Sequence, residues 1–257
     1  MNQIYWKWLL GVFKLKRLVK RWYGTRRLDY MKDELHIVTS TVREYVTRAN
    51  SCSKEPETVA WIESTVADGA VFYDIGANIG AYSLVAAVNG YTVLAFEPAY
   101  MNVSSLEDNV TLNDLNKSIS SYQLGFSDHT HLETFSFLDS TPGTSKIFQS
   151  SMTDYHRAGA VEVKKAALIF SLDDFIALFK PVFPTHIKID IDGGELALLA
   201  GAQKTLADKR VRHVLLEVEE KDGAVEAADK ALSTAGLSLE SSHRRDKRTV
   251  NRIYARA

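Results

Sequence analysis

Apolar and polar positions along the chain follow two periods. Short runs rich in β-branched and aromatic residues, apolar on both faces of an extended chain, recur between longer stretches with helical spacing. The runs at Ala70–Tyr73, Thr92–Phe96, Ile119–Phe126, His186–Ile191 and Val211–Val218 predict strands. Helices are predicted over Glu57–Val66, Ala81–Asn89, Val103–Asn113, Leu172–Phe179, Glu195–Asp208 and Gly223–Ala235, with Pro56 opening the first and Gly90 and Gly236 each closing one. Strands buried on both faces and alternating with helices describe an α/β fold with a doubly wound, mostly parallel sheet. Leu132–Leu138 and Val161–Phe170 read as further strands around a loop holding Thr141-Pro142-Gly143. Leu237–Ser241 and Val250–Ala255 flank a charged turn and predict a terminal antiparallel hairpin.

Composition narrows the class. The chain has 257 residues, 46% hydrophobic and 25% charged, enough for one large domain with a full core. Disordered, collagenous and multi-span membrane classes are excluded. Its single cysteine, Cys52, excludes an intramolecular disulfide and a multi-Cys zinc module, and suits a reducing cytoplasm. The net charge of −1 conceals an asymmetry: residues 1–28 hold eight Lys or Arg and no acid, leaving 23 cations against 32 acids, or −9, in residues 29–257. In that head, Ile4, Tyr5, Trp8, Val12, Leu15, Val19 and Trp22 share one helical face, and Lys7, Lys14, Arg17, Lys20 and Arg21 fall on the other. Lys7 and Lys14 interrupt the apolar run too early for a bilayer span, and no small-residue cleavage site follows it. Such a basic amphipathic helix either packs on its own domain or on a second subunit, or lies in an anionic membrane surface. The acidic body argues against nucleic acid.

In a doubly wound sheet the ligand sits beyond the carboxyl ends of the strands. The first such end reads Asp74-Ile75-Gly76-Ala77-Asn78-Ile79-Gly80, and Gly76 and Gly80 allow a tight turn into the next helix. Twenty-one residues after Gly76 the second strand ends in Glu97-Pro98, where a carboxylate can accept hydrogen bonds from both ribose hydroxyls. A dinucleotide fingerprint would have glycine at Asn78, and Asp74 would repel a diphosphate. The acid suits a ligand carrying positive charge, such as the amino group and sulfonium of S-adenosyl-L-methionine. An NAD-dependent oxidoreductase and a non-catalytic cofactor-binding scaffold stand as alternatives; the missing glycine disfavours the first, and the joint presence of Asp74, Glu97 and Asp190 disfavours the second.

The segments VFYDIGANIGAYSLVAA, VLAFEPA, the N-x-x-L-N run at Asn109–Asn113, FSLDDFI, HIKIDIDGGELALLAGA and the final TVNRIYAR together resemble the FkbM family of S-adenosyl-L-methionine-dependent methyltransferases. The resemblance covers roughly Trp61 to Arg256. It implies a Rossmann-like seven-stranded sheet with a reversed last strand, and methyl transfer to a hydroxyl of a sugar, glycan or related secondary metabolite. This chain has Asp192 where the family often has Glu, and Gly194 where it often has Ala. Similar enzymes also place a group at the end of the third strand against the adenine, here Ser127-Asp128.

Along His186–Asp192, Lys188, Asp190 and Asp192 alternate with isoleucines, an unexpected charge load for an interior parallel strand. Methyl transfer is an in-line displacement in which the protein holds the reacting atoms collinear and a carboxylate helps a hydroxyl acceptor to lose its proton. Asp190 is the first candidate for that carboxylate, Asp192 the second, and Glu217, at the end of another strand, a third. An internal Lys188–Asp190 ion pair, with Glu195 serving a helix N-terminus, is the competing reading. A divalent metal between these carboxylates stands as an alternative, with no ligand set fixed; His129 and His131 read as a solvated pair, and Arg244, Arg245, Lys247 and Arg248 as a charged turn.

Overall fold

The strands are short, and those apolar on both faces must be covered on both. In the computed structural model, which describes residues 24–137, 147–149 and 163–256, seven of them form one sheet. They are β1 (Val71–Ile75), β2 (Thr92–Phe96), β3 (Ile119–Tyr122), β4 (His186–Ile189), β5 (His213–Glu219), β6 (Ser238–Arg244) and β7 (Thr249–Ala255). Their order is β6-β7-β5-β4-β1-β2-β3. Strands β1 to β5 run parallel, and β7 runs antiparallel between β5 and β6. The terminal hairpin thus supplies the reversed strand. Chain direction across the sheet switches between β1 and β4, which opens a crevice at their carboxyl ends.

The pleat divides the core. Phe72, Val93, Ala95, Leu215 and Ile253 face one side, with Trp61 and Ile62 of α1 (Pro56–Thr65), Leu84 and Val85 of α2 (Ala81–Val88), and Leu106 and Val110 of α3 (Tyr100–Leu112). Their strand neighbours Tyr73, Ile75, Leu94, Phe96, Ile187, Ile189, Leu216 and Val218 face the other. There they meet α4 (Leu172–Phe179), α5 (Glu195–Ala200), α6 (Gln203–Ala207) and α7 (Ala224–Thr234).

Three expectations are corrected. The run Ile119–Phe126 is not one strand: the chain turns at Leu124, whose N–H donates to the Tyr122 carbonyl, and Gly125–Phe126 pairs with Val163–Phe170 in a second sheet. That sheet also holds His131–Phe137 and Ile147–Gln149. Gly125 allows the crossing, since a Cβ there would sit 2.8 Å from Ile169. The helix expected over Glu195–Asp208 breaks at Gly201, where a Cβ would meet the Ser127 carbonyl oxygen at 2.1 Å. The freed N–H groups of Lys204 and Thr205 donate to the Asp173 carboxylate, at 2.9 and 2.8 Å. Finally, the basic head does not extend to Leu28 as a helix. Residues 1–23, which carry most of that pattern, lie outside the described residues. Thr25–Arg27 is a strand paired with His36–Val38, and Leu28 is fully buried. No helix among the described residues is long and apolar enough to cross a membrane.

The N-x-x-L-N run ties this N-terminal hairpin to the site. Asn109, fully buried on α3, accepts from the Val38 N–H at 2.7 Å and donates to the Ile79 carbonyl at 2.8 Å. Asn113 brackets His36 in the same way, at 2.8 and 2.7 Å. One side chain therefore holds both the hairpin and the loop after β1. Asn109→Ala leaves two buried backbone groups unpaired, at about 1–3 kcal/mol each. Urea unfolding should show a loss of at least about 2 kcal/mol, well above that of the half-buried Asn113→Ala.

Candidate active site

Asp74 ends β1 on the α1–α3 side of the sheet, level with Lys188 of β4. Both are 1% exposed. Ser83 Oγ donates to Asp74 Oδ2 at 2.6 Å, and Lys188 Nζ stands 3.8 Å from Oδ1. Burial raises the Asp74 carboxyl, and Lys188 and Ser83 oppose the rise. Oδ1 is buried and makes no hydrogen bond, an acceptor left unfilled beside the Lys188 ammonium. Beyond it the chain turns through Gly76, at φ 82°. A Cβ on Gly76 would lie 1.9 Å from the Asp190 carbonyl oxygen, so only glycine lets the β1 and β4 ends close up. Gly76 and Ala77 donate to the Phe96 carbonyl at 2.9 and 3.0 Å, and Gly80 caps α2, whose N-terminus opens on the loop.

Glu97, 3% exposed, follows β2. Its Oε2 accepts from the Asn78 N–H at 3.0 Å, and its Oε1 from the Ala99 N–H at 2.9 Å and Asn102 Nδ2 at 3.2 Å. Three of a carboxylate's four acceptor positions are filled. One is left on Oε2, room for one hydroxyl beside the existing donors rather than the expected two. Burial pushes the carboxyl up to about 7, against the pull of those donors. Pro98 is half-buried and lies beside Gly125, which brings the chain leading to Ser127 next to the end of β2. Ser127 is buried, whereas Asp128 is exposed and hydrogen-bonded to Ser127 and His129.

Residues 74–237 match the Methyltransferase FkbM domain. The chain belongs to the FkbM methyltransferase family. It is 26% identical to "Methyltransferase sdnD" of Sordaria araneosa over 189 residues, 65% of this chain and 73% of that protein. Its fold is similar to that of a SAM-dependent methyltransferase from Agrobacterium tumefaciens, with a TM-score of 0.53, 11% identity, and 91% and 71% of the two chains covered. It is also similar to magnesium protoporphyrin IX methyltransferase from Synechocystis PCC 6803 with bound SAM, with a TM-score of 0.51, 10% identity and 85% and 86% coverage. This FkbM methyltransferase uses S-adenosyl-L-methionine. The residues present fit that cofactor: the Asp74 carboxylate, whose Oδ1 makes no hydrogen bond, suits a cationic group, and the remaining acceptor position of Glu97 suits a ribose hydroxyl.

On the other flank of Lys188 lies a second polar group. Lys188 Nζ donates to Asp190 Oδ2 at 2.9 Å, so the ion pair foreseen as a competing reading is present. The Asp190 side chain is nevertheless 26% exposed. Burial raises its carboxyl, but Lys188, Arg245 and Arg48 outweigh that and hold it below the ordinary value. Glu217, on β5 opposite Asn251 of β7, is buried, and burial and then Asp190 push its carboxyl up to about 9. Glu217 Oε1 accepts from Arg245 Nη1, and its Oε2 is buried without a partner. Arg245 Nε also stands 3.1 Å from Oε1 of the buried Glu55. Asp192 is exposed on the turn, while Glu195 is buried, accepts from the Gly193 N–H at 3.0 Å and is raised to about 7 by burial.

The structure thus brings Asp74, Gly76, Asn78 and Glu97 to one flank of Lys188, and Asp190 and Glu217 to the other. Sequence reasoning missed Glu55, Arg48, Arg245 and Asn251. Arg245 sits in a run of four cations that reads as solvated, and only the pairing of β6 with β7 singles it out.

Glu97 offers a direct test. A carboxylate binds a hydroxyl more strongly than its protonated form does, so affinity for the demethylated cofactor should rise as pH increases through about 7. The rise is at most about tenfold per pH unit below that point. Glu97→Gln should flatten it and weaken binding by about 10- to 100-fold. Calorimetry from about pH 6 to about pH 8 checks this, and a flat wild-type profile removes Glu97 from the ribose contact.

Proposed function

We propose that this methyltransferase transfers a methyl group to a hydroxyl oxygen of a sugar, glycan or related secondary metabolite, with Asp190 as general base. The observation that carries the reading is the state of Asp190. It is a carboxylate held ionised by Lys188, it remains partly exposed at the crevice rim, and it touches the cofactor loop through Gly76. An ionised acceptor can take a hydrogen bond from an incoming hydroxyl and then its proton. S-adenosyl-L-methionine supplies a methyl group activated by its positive sulfonium. Asp74 and Glu97 hold that molecule at its charged and ribose ends. Glu217 and Asn251 are buried polar groups beneath the β5–β7 side, and Ser127-Asp128 serves the adenine.

Asp190→Asn keeps the shape and removes the basicity. Turnover should fall by about 10²–10⁴-fold, with cofactor affinity nearly unchanged and a smaller loss for Asp192→Asn. Labelled cofactor, with an acceptor found as a gain of one methyl mass in metabolite and glycan extracts, provides the assay. A fully active or unfolded Asp190→Asn protein means that the ion pair is structural and that the base is elsewhere.

We propose further that the basic head holds the enzyme against anionic membrane, close to a lipid-linked or surface-bound acceptor. Exposed apolar groups where the head joins the fold support this. In the short helix Val42–Val46, Val42, Tyr45 and Val46 are 79%, 54% and 56% exposed, and the Arg26 guanidinium lies 4.5 Å over the Tyr45 ring. Each cation near such a surface contributes about 1 kcal/mol and is screened by salt. Full-length protein should pellet with anionic vesicles at low salt and release as salt rises. A chain beginning at Gly24, which keeps the Thr25–Arg27 strand, should stay in the supernatant and still bind cofactor. Equal behaviour of the two would end the membrane reading.

A further inference from the structure

One ligand atom from each of Glu55, Asp190 and Glu217 lies within 4.8 Å of the other two. That is about the span between opposite oxygens around a calcium-sized ion, whose ligands stand at about 2.3–2.6 Å. Three carboxyl groups this close, two of them buried, repel one another when ionised, and positive charge beside them relieves that. Lys188 serves Asp190, at 2.9 Å. Arg48 is half-buried and acts electrostatically on Asp190 from the segment before Glu55. The other two acids share Arg245, whose Nη1 donates to Glu217 Oε1 and whose Nε stands 3.1 Å from Glu55 Oε1 as an ion pair without a hydrogen bond; Lys54 Nζ lies 3.5 Å from the same Glu55 oxygen.

Arg245 is built into that position. It starts the turn between β6 and β7, with its N–H on the Thr249 carbonyl at 3.0 Å. Asp246 Oδ1 closes the turn on the N–H groups of Arg248 and Thr249, at 2.8 and 3.0 Å. The Arg245 side chain is 18% exposed, while its neighbour Arg244 reaches outward to the exposed Glu220. A guanidinium is permanently charged, and its planar fork can serve two carboxylates at once.

We infer that Arg245 is a resident counter-cation, a positioning residue whose guanidinium takes the place that a divalent cation would otherwise take among Glu55, Asp190 and Glu217. The inference rests on reading Asp190 and Glu217 as the acceptor side of the site. It assigns the C-terminal hairpin a part in the chemistry, because the turn carries the charge that holds the β4 and β5 carboxylates together. Glu217 Oε2, buried and without a hydrogen-bond partner, is the acceptor that this arrangement leaves unfilled.

The test is gain of a metal site, read by electron paramagnetic resonance of Mn²⁺ and by melting temperature in Mg²⁺, Ca²⁺ and Mn²⁺. Wild-type protein should take up no Mn²⁺ at the cluster, and the ions should leave its melting temperature unchanged. Arg245→Gln should melt lower, take up one Mn²⁺, and recover about 3 °C or more in the ions. Adding Glu217→Gln to that variant should abolish the site. Arg245→Lys keeps a cation and should stay ion-free, which serves even if Arg245→Gln does not fold. One Mn²⁺ on wild type that is lost in Glu217→Gln, uptake by Arg245→Lys, or a folded Arg245→Gln that binds no ion would each overturn the inference. None of these readouts needs a methyl acceptor, so they stand apart from the role of Asp190 as base.

Discussion

A fully buried ammonium in the middle of the sheet is the constraint on which the site depends. Lys188 is 1% exposed in β4, a position where a parallel strand ordinarily carries an apolar side chain. Burial works to discharge it, but Asp190, Asp74 and Glu55 outweigh that and hold it up at about 12. It therefore stays a cation, with the Tyr82 ring 5.0 Å from Nζ. Removing one partner of such a buried pair leaves an uncompensated charge, at a cost of about 3–5 kcal/mol. Lys188 thus makes Asp74 and Asp190 mutually dependent. The carboxylates at the ends of β1 and β4 answer to the same charge.

Strand parity gathers the polar groups. Asp74, Lys188, Glu217 and Asn251 alternate with apolar neighbours that pack against α4 to α7, so all four side chains fall on the α1–α3 side. A one-residue slip in any of these strands would turn its polar group into the opposite apolar layer. The register that builds the core therefore also builds the site. The hairpin before α1, the segment around Glu55 and the β6–β7 turn lie on this polar side, and they supply Asn109-anchored rigidity, a third carboxylate and Arg245 respectively.

The crevice itself depends on close backbone approach. With the Asp190 carbonyl against Gly76 and the Asp190 N–H donating to the Ile75 carbonyl at 3.0 Å, the turn after β1 and the end of β4 move as one unit. Catalysis by positioning needs a frame of this kind, because a displacement reaction loses rate steeply when reacting atoms drift out of line. Asn78, at φ 52°, extends the same frame to Glu97 through its N–H.

Much of this was legible in the chain. Doubly apolar runs, helical spacing and the Gly76–Gly80 turn are local signals, and they determined the α/β class, the position of the crevice and the membership of the FkbM family. Asp190 and Glu217 were readable because charge at the end of an apolar strand conflicts with its surroundings. Other features depend on contacts between distant segments. The break at Gly201 comes from the approach of Ser127, the split of the third strand from Ile169, and the N-terminal hairpin is held through His36 and Val38 by Asn113 and Asn109, far along the chain. Arg245 makes the difference plain. In the chain it is one of four cations in a polar turn, indistinguishable from its neighbours. Only the pairing of β6 with β7 turns it inward onto Glu217 and Glu55 while Arg244 stays outside, because a buried charge is selected by the partners that surround it and not by the residues beside it in sequence.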